Sequence, residues 1–352
     1  MIDVFKENLE QVLLKRDLSF ENASMIMKEI MSGNIPPSRI AALLIALRMK
    51  GETPEEIRAF ASVMREYALK IPTDIPNLVD TCGTGGDCIK TYNISTISAL
   101  IAASCGVPIA KHGNRAVSGT CGSADLLESF GVNINASVED IKNSLEEAHF
   151  GFMFAPAFHP AMKYVMPTRR ELGVRTVFNI LGPLTNPALA KGQILGVFSK
   201  DLVKPMAEVL SKLGIKRGFV FHSEPGIDEI VPISKVYLAE ISGNEVIYSE
   251  KEAQEFGLSS ISIDIIKGGD VNINTRIALE ILSGKDKSIR RDIAVLNSAY
   301  GILASGLTSD LEDAKRMSLS AIEDKKPIEN LRKIILLTKG NLEKFESLLK
   351  NL

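Results

Sequence analysis

The sequence predicts an α/β protein: a small all-helical N-terminal domain, then a large domain built on a mainly parallel sheet flanked by helices. Three observations lead there. Up to residue 72 the apolar residues recur only at helical spacing. Beyond that, short β-prone runs alternate with helical stretches, the pattern of βαβ units. After residue 252 the patterning is helical again.

The elements follow in order. "PSRIAALLIALRMKG" puts Ile40, Leu43, Leu44 and Leu47 on one face, with Gly51 where a helix C-terminal glycine belongs. "TPEEIRAFASVMREYA" opens with Thr53 as N-cap, Pro54 at the first helical position and Glu56 completing a capping box. Ile57, Phe60, Ala61 and Met64 continue the stripe. The two stripes together exceed what a thin helical layer can bury, which predicts a homodimer formed through these helices. The Pro-containing stretch 71–76 marks the boundary between a domain over 1–72 and one over 73–352, with the segment around 160–190 expected to pack back on the first. Strands are expected in "NLVD", "VPIA", "GFMFA", "QILGVF" and "GFVFH", separated by helical stretches such as "SADLLESFG", "SVEDIKNSLEEAHF" and "DLVKPMAEVLSKLG". "KVYLAEISGNEVIY" breaks the alternation and reads as a hairpin about Gly243-Asn244.

Composition narrows the function. With 41 basic against 43 acidic residues, a broad electrostatic grip on nucleic acid is disfavoured. The four cysteines form no C-x-x-C pair, so neither a zinc knuckle nor a redox motif is indicated, and a reduced, cytoplasmic protein is expected. The N-terminal stretch is amphipathic and contains acids, unlike a signal peptide, and no apolar run is long enough to span a bilayer.

The chemistry lies in two glycine-containing stretches. "TCGTGGDCIKTYNIST" joins a predicted strand to a helix whose first turn carries Asn93, Ser95 and Thr96. Such a loop reads either as a cradle for an anion at a helix N-terminus or as a tight turn with ordinary caps. "AKHGNRAVSGTCGSADLLESFG" favours the cradle. Lys111, His112 and Arg115 supply possible cations, Gly113 and Gly119 allow close backbone approach, Asn114 and Ser118 add hydrogen-bonding groups, and Ser123 is expected to cap the next helix. Asp228 and Glu229 in "SEPGIDE" are adjacent loop acids, open to reading as magnesium ligands or as a solvated pair.

"GTGGDxxxTxNIST", "KHGNRAVSG", "GSADLLE", "FMFAPAFHPAMKYVMPTRRELGVRTVFNILGPLTNP" and "HSEPGIDE" closely resemble the anthranilate phosphoribosyltransferases, over nearly the whole chain. One departure is Cys88, where that family often has glycine. The resemblance implies a homodimeric, magnesium-dependent enzyme of tryptophan biosynthesis that takes phosphoribosyl pyrophosphate and anthranilate. It places the donor on Gly83, Gly86, Asp87, Thr91, the turn Asn93-Ile94-Ser95-Thr96, the loop Lys111-His112-Gly113-Asn114-Arg115-Ala116-Val117-Ser118-Gly119, and Ser123. Magnesium would take Ser95, Asp228 and Glu229, and anthranilate Gly83, Asn114 and Arg169. His112 and His159 would line the acceptor channel, with a purely structural role equally open for His159, whereas His149 and His222 read as structural. An aromatic amine needs no strong base to attack, so no proton-abstracting residue is assigned. The competing readings are a pyrimidine nucleoside phosphorylase of the same fold and a non-catalytic nucleic-acid-binding relative. "KHGNR" and Arg169 disfavour the first, and the charge balance disfavours the second.

Overall fold

Four helices open the chain: α1 (Val4–Leu13), α2 (Phe20–Met31), α3 (Pro37–Lys50) and α4 (Pro54–Tyr67). The structure is a computed structural model and describes residues 4–86, 89–116 and 121–352. The expected capping box starts α4: Glu56 N–H donates to Thr53 Oγ1 at 3.2 Å and Thr53 N–H to the Glu56 carboxylate at 2.8 Å. Glu56 is fully buried and also accepts from Leu18 N–H and from Lys50, both at 2.9 Å, so the cap fastens the helices together as well. Gly51 ends α3 at φ 88°, with its N–H on Leu47 O.

Seven strands form one sheet: β1 (Val79–Gly83), β2 (Ile109–Gly113), β3 (Phe150–Phe154), β4 (Gly192–Gly196), β5 (Arg217–Ser223), β6 (Val236–Ser242) and β7 (Glu245–Lys251). Their order is β3-β2-β1-β4-β5-β6-β7. The pairings from β3 through β5 are parallel, and β6 and β7 run antiparallel. The turn through Gly243 (φ 60°) and Asn244 is the expected hairpin. Strand order reverses at β1, so the C-terminal ends of β1 and β4 flank a switch point, where parallel sheets form their ligand crevices.

In sequence, α5 (Ile94–Ser104) lies between β1 and β2, and α6 (Ser123–Ser129) and α7 (Val138–Ala148) lie between β2 and β3. After β3 come α8 (Ala155–Phe158), α9 (Met166–Leu172) and α10 (Phe178–Leu181). Then follow α11 (Val203–Lys212), α12 (Val271–Leu282), α13 (Ile289–Ser305), α14 (Leu311–Glu323), α15 (Lys326–Leu337) and α16 (Leu342–Lys350). Apolar α5 is almost wholly buried, packed between the sheet and α13, α14 and α15. On the other face α11 lies between the sheet and α4. There the N-terminal helices share a core with Val165, Val177, Phe178, Leu181 and Leu184. Among the described residues no helix is long and apolar enough to cross a membrane.

Candidate active site

The glycine loop leaves β1 at its C-terminal end, beside the end of β4, where Gly83 and Gly196 are paired. The Asp228 backbone and carboxylate lie directly over both: a Cβ at Gly196 would overlap the Asp228 carbonyl, and one at Gly83 the Asp228 carboxylate. Only glycine permits that approach. Gly85 N–H donates to Asp228 Oδ2 at 2.7 Å, and Ser95 N–H, in the first turn of α5, to Glu229 Oε1 at 3.0 Å. The two acids therefore hold two loop N–H groups of the kind that would otherwise face an anion.

Asp228 and Glu229 are 8% and 7% exposed. Burial raises both carboxyls, and the neighbouring Asp228 charge helps push Glu229 up to about 8. Such a pair calls for a counter-charge. The Lys111 ammonium favours ionisation of both, but it is itself buried and held on Thr81 O at 2.5 Å.

Lys111 and His112 belong to β2, which runs on to Gly113, so the basic loop expected from residue 111 begins only at Asn114. The polar residues hid a strand that pairs with β3 through Lys111↔Phe152 and His112↔Met153. Of the three possible cations, Lys111 and His112 are buried. Burial, then His159, lowers the His112 imidazole to about 3, leaving it neutral. Burial also lowers the Lys111 amine. Arg115 is held by Glu128 and Asp125, each at 2.8 Å, which keep its guanidinium firmly charged.

Ser123 does not cap α6: it is the first helical residue, and its hydroxyl donates to Asn114 O at 3.3 Å. The cap is Gly122, and the Asp125 carboxylate accepts from Gly122 N–H at 2.8 Å and from Ala116 N–H at 3.0 Å. A carboxylate reaching back to its own cap fixes the 114–116 loop against the helix start. Asn93 precedes α5 in the left-handed region (φ 56°) without a side-chain cap bond. Its amide instead donates to Cys121 O at 3.0 Å and accepts from Asn274 at 2.8 Å, joining the two anion stretches. Ile94 and Thr96 point into the core, so only their backbone can face a ligand. Thr91 bridges to Lys267, and Tyr92 N–H donates to Ile266 O at 3.2 Å, which fixes the approach to α5. Asp87, Val117, Ser118 and Gly119, and also Cys88, lie outside the described residues.

His112 and His159 stand with ring centroids 4.9 Å apart, both buried and each with an unpartnered Nε2. Burial lowers His159 to about 4, so it too is neutral. His149 ends α7 in the left-handed region, and His222 is buried with Nδ1 2.8 Å from Val197 O. Arg169 sits on α9, half-buried, 5.5 Å from the Phe178 ring centroid, with Met166 Sδ as its side-chain acceptor at 3.7 Å. Among the described residues no carboxylate pairs with it, and burial pulls its pKa down. Among the described residues it makes no hydrogen bond to the loops, which otherwise converge on one another. Sequence reasoning gave no role to Arg175, which donates to Gly86 O, or to Asn274. Neither has a local signal, because both act on partners far along the chain.

Residues 75–326 match the glycosyl transferase family a/b domain and residues 6–68 the helical bundle domain of that family. The anthranilate phosphoribosyltransferase of Persephonella marina is 44% identical over 338 residues, 96% of this chain and 100% of that protein. Among solved structures, the enzyme of that name from Thermus thermophilus superposes with a TM-score of 0.89 at 41% identity, covering 94% of this chain and 99% of that one. The Saccharomyces cerevisiae enzyme, in complex with PRPP and Mg, gives 0.87 at 25% identity over 96% of this chain and 99% of that one.

Proposed function

The chain belongs to the anthranilate phosphoribosyltransferases of the glycosyl transferase family, and from that premise we propose how its residues carry the reaction. The activity is transfer of the 5-phosphoribosyl group from phosphoribosyl pyrophosphate to the amine of anthranilate, giving N-(5-phosphoribosyl)anthranilate and pyrophosphate in tryptophan biosynthesis. The observation that carries the reading on this chain is the convergence of both anion stretches on the buried Asp228-Glu229 pair.

The donor lies on Gly83, Gly86 and Asp87 of the glycine loop, Thr91, the α5 turn from Asn93 to Thr96, the stretch from Lys111 to Gly119, and Ser123. Backbone N–H groups and the Ser95 and Ser123 hydroxyls supply the donors, with Arg115 already oriented by Asp125 and Glu128. Asp228, Glu229 and the Ser95 hydroxyl fit magnesium: they are hard oxygens, and each carboxylate spends one oxygen on the loop and keeps a second. Held there, magnesium would supply charge neutralisation for the pyrophosphate. Arg169 takes the anthranilate carboxylate through two parallel hydrogen bonds; its half-buried guanidinium, without a carboxylate partner among the described residues, supports this. Asn114 and Gly83 complete the acceptor site, and the neutral His112 and His159 line it.

The amine attacks the anomeric carbon as the pyrophosphate bond breaks, while positive charge develops on the ribose ring and negative charge on the leaving group. Preorganised loop N–H groups stabilise the second. Holding two substrates in one crevice supplies much of the remaining acceleration. No side chain need remove a proton before attack.

We place the enzyme in the cytoplasm, supported by the free thiols Cys82, Cys105 and Cys121. Ile40, Leu43, Leu44, Leu47, Ile57, Phe60, Ala61 and Met64, expected to exceed what the helical layer can bury, are buried within the chain itself, so that ground for a dimer is corrected. The homodimer through α1–α4 is supported instead by exposed Val4, Leu13, Leu14 and Met49. The division into 1–72 and 73–352 is supported by the separate family matches. The test mixes protein, magnesium, anthranilate and phosphoribosyl pyrophosphate and follows the loss of anthranilate fluorescence. No turnover there, with phosphorolysis of thymidine instead, overturns the assignment.

A further inference from the structure

Gly86 closes the glycine loop at φ 77°, and its carbonyl accepts from the Arg175 guanidinium. A Cβ on Gly86 would stand 3.1 Å from Arg175 Nη2, so the guanidinium lies flush against the turn. The other side of the same turn is held at Gly85 N–H by Asp228. Arg175 rests 4.2 Å from the centroid of the Phe198 ring, and Phe198 N–H donates to Thr84 Oγ1 at 3.1 Å. The platform under Arg175 is thus tied to the loop that Arg175 holds. The Arg175 carbonyl in turn accepts from Arg48 Nη1, at the end of α3, at 2.7 Å. Just beyond, Thr176 N–H donates to Asn179 Oδ1 at 2.9 Å, which fixes the segment leading into α10.

Two successive glycines, both at positive φ, would otherwise be the most freely moving backbone in the crevice. We propose that Arg175 is a positioning residue for the donor: with Phe198 as its platform and Arg48 as its anchor, it holds the Gly85-Gly86 turn, between the helical layer and Asp228, in the conformation that receives the pyrophosphate. Its guanidinium is spent on a backbone carbonyl and an aromatic face, and among the described residues no carboxylate pairs with it. Its effect reaches the donor through the loop. A turn left free is competent for only part of the time, and donor affinity falls by that fraction. The proposal rests on the placement of the donor given above.

The test compares wild type with Arg175→Ala, Arg175→Lys and Phe198→Leu by steady-state kinetics for each substrate, calorimetric titration of phosphoribosyl pyrophosphate with magnesium, and thermal unfolding. Loss of a charge-assisted hydrogen bond predicts a rise of about tenfold or more in donor KM and Kd for Arg175→Ala. Anthranilate KM and Tm should stay unchanged. Arg175→Lys should recover part of the loss, since an ammonium reaches the carbonyl but cannot lie flat on Phe198. Phe198→Leu should raise the same constant by a smaller factor. Unchanged donor binding in Arg175→Ala overturns the proposal, as does an equal loss for both substrates accompanied by a lower Tm. A wild type that does not bind the donor overturns the donor site itself, and this inference with it.

Discussion

Replacing Arg169 with alanine removes a guanidinium that α9 holds half-buried against Phe178 with no carboxylate among the described residues to neutralise it. In the free enzyme its loss forfeits a contact with the ring and a weak bond to Met166 Sδ, at most about 1 kcal/mol. Relief of an unpaired, partly desolvated cation offsets some of that, so Tm should barely move. In the complex the same change removes a bidentate, charge-assisted pair, a cost on the order of 2–3 kcal/mol, or roughly thirty- to a hundred-fold. Anthranilate KM at saturating donor should rise by that factor while donor affinity stays nearly constant, as read from anthranilate fluorescence. Arg169→Lys should restore only part, because an ammonium cannot reproduce the planar fork. Arg170, on the same helix but exposed, is the control. Equal losses at both positions, or a matching loss in donor affinity, would show that the acceptor binds elsewhere.

Asp228→Asn with Glu229→Gln should abolish or greatly weaken magnesium-dependent turnover while leaving the fold intact; wild-type activity at limiting magnesium would refute the metal assignment. The same acids set a pH dependence. Both carboxyls are raised in the folded state, so folding favours their protonated form and stability falls as pH climbs from the ordinary carboxylate range through about 8. Without magnesium, wild-type Tm should drop across that window relative to the double variant, and added magnesium should restore it; parallel Tm profiles for the two proteins would count against the pair being buried as charges. Light scattering at micromolar concentration should give a dimer mass, and a monomer mass would remove the role given to the exposed residues of α1–α4.

Local signals made the scaffold legible. Thr53 and Glu56 satisfy each other within one turn, Gly51 needs only its own backbone, and the period of the apolar residues announces both helices and sheet. The site was legible as two stretches and an acid pair, but not in its electrostatics. His112 is neutral because of what surrounds it, and Lys111 is spent on Thr81 in the neighbouring strand. Asp125 could have been found from sequence, since an acid three residues after a glycine can cap backward. Arg175 could not, because its partners Gly86 and Arg48 lie 89 and 127 residues away.

The crossing of the Asp228 backbone over Gly83 and Gly196 bears on how this enzyme can diversify. Any side chain at either glycine would meet the segment that carries the acid pair, so substitution there would displace Asp228 from the crevice. Libraries randomised at these two codons should return almost nothing but glycine, whatever substrate is selected for. On the acceptor placement proposed above, variation that retunes the acceptor would enter from the α8–α10 side, around His159 and Arg169. If both sites lie where proposed, the sheet locks the chemistry of the donor and leaves the choice of nucleophile to a part of the chain that can change without disturbing it.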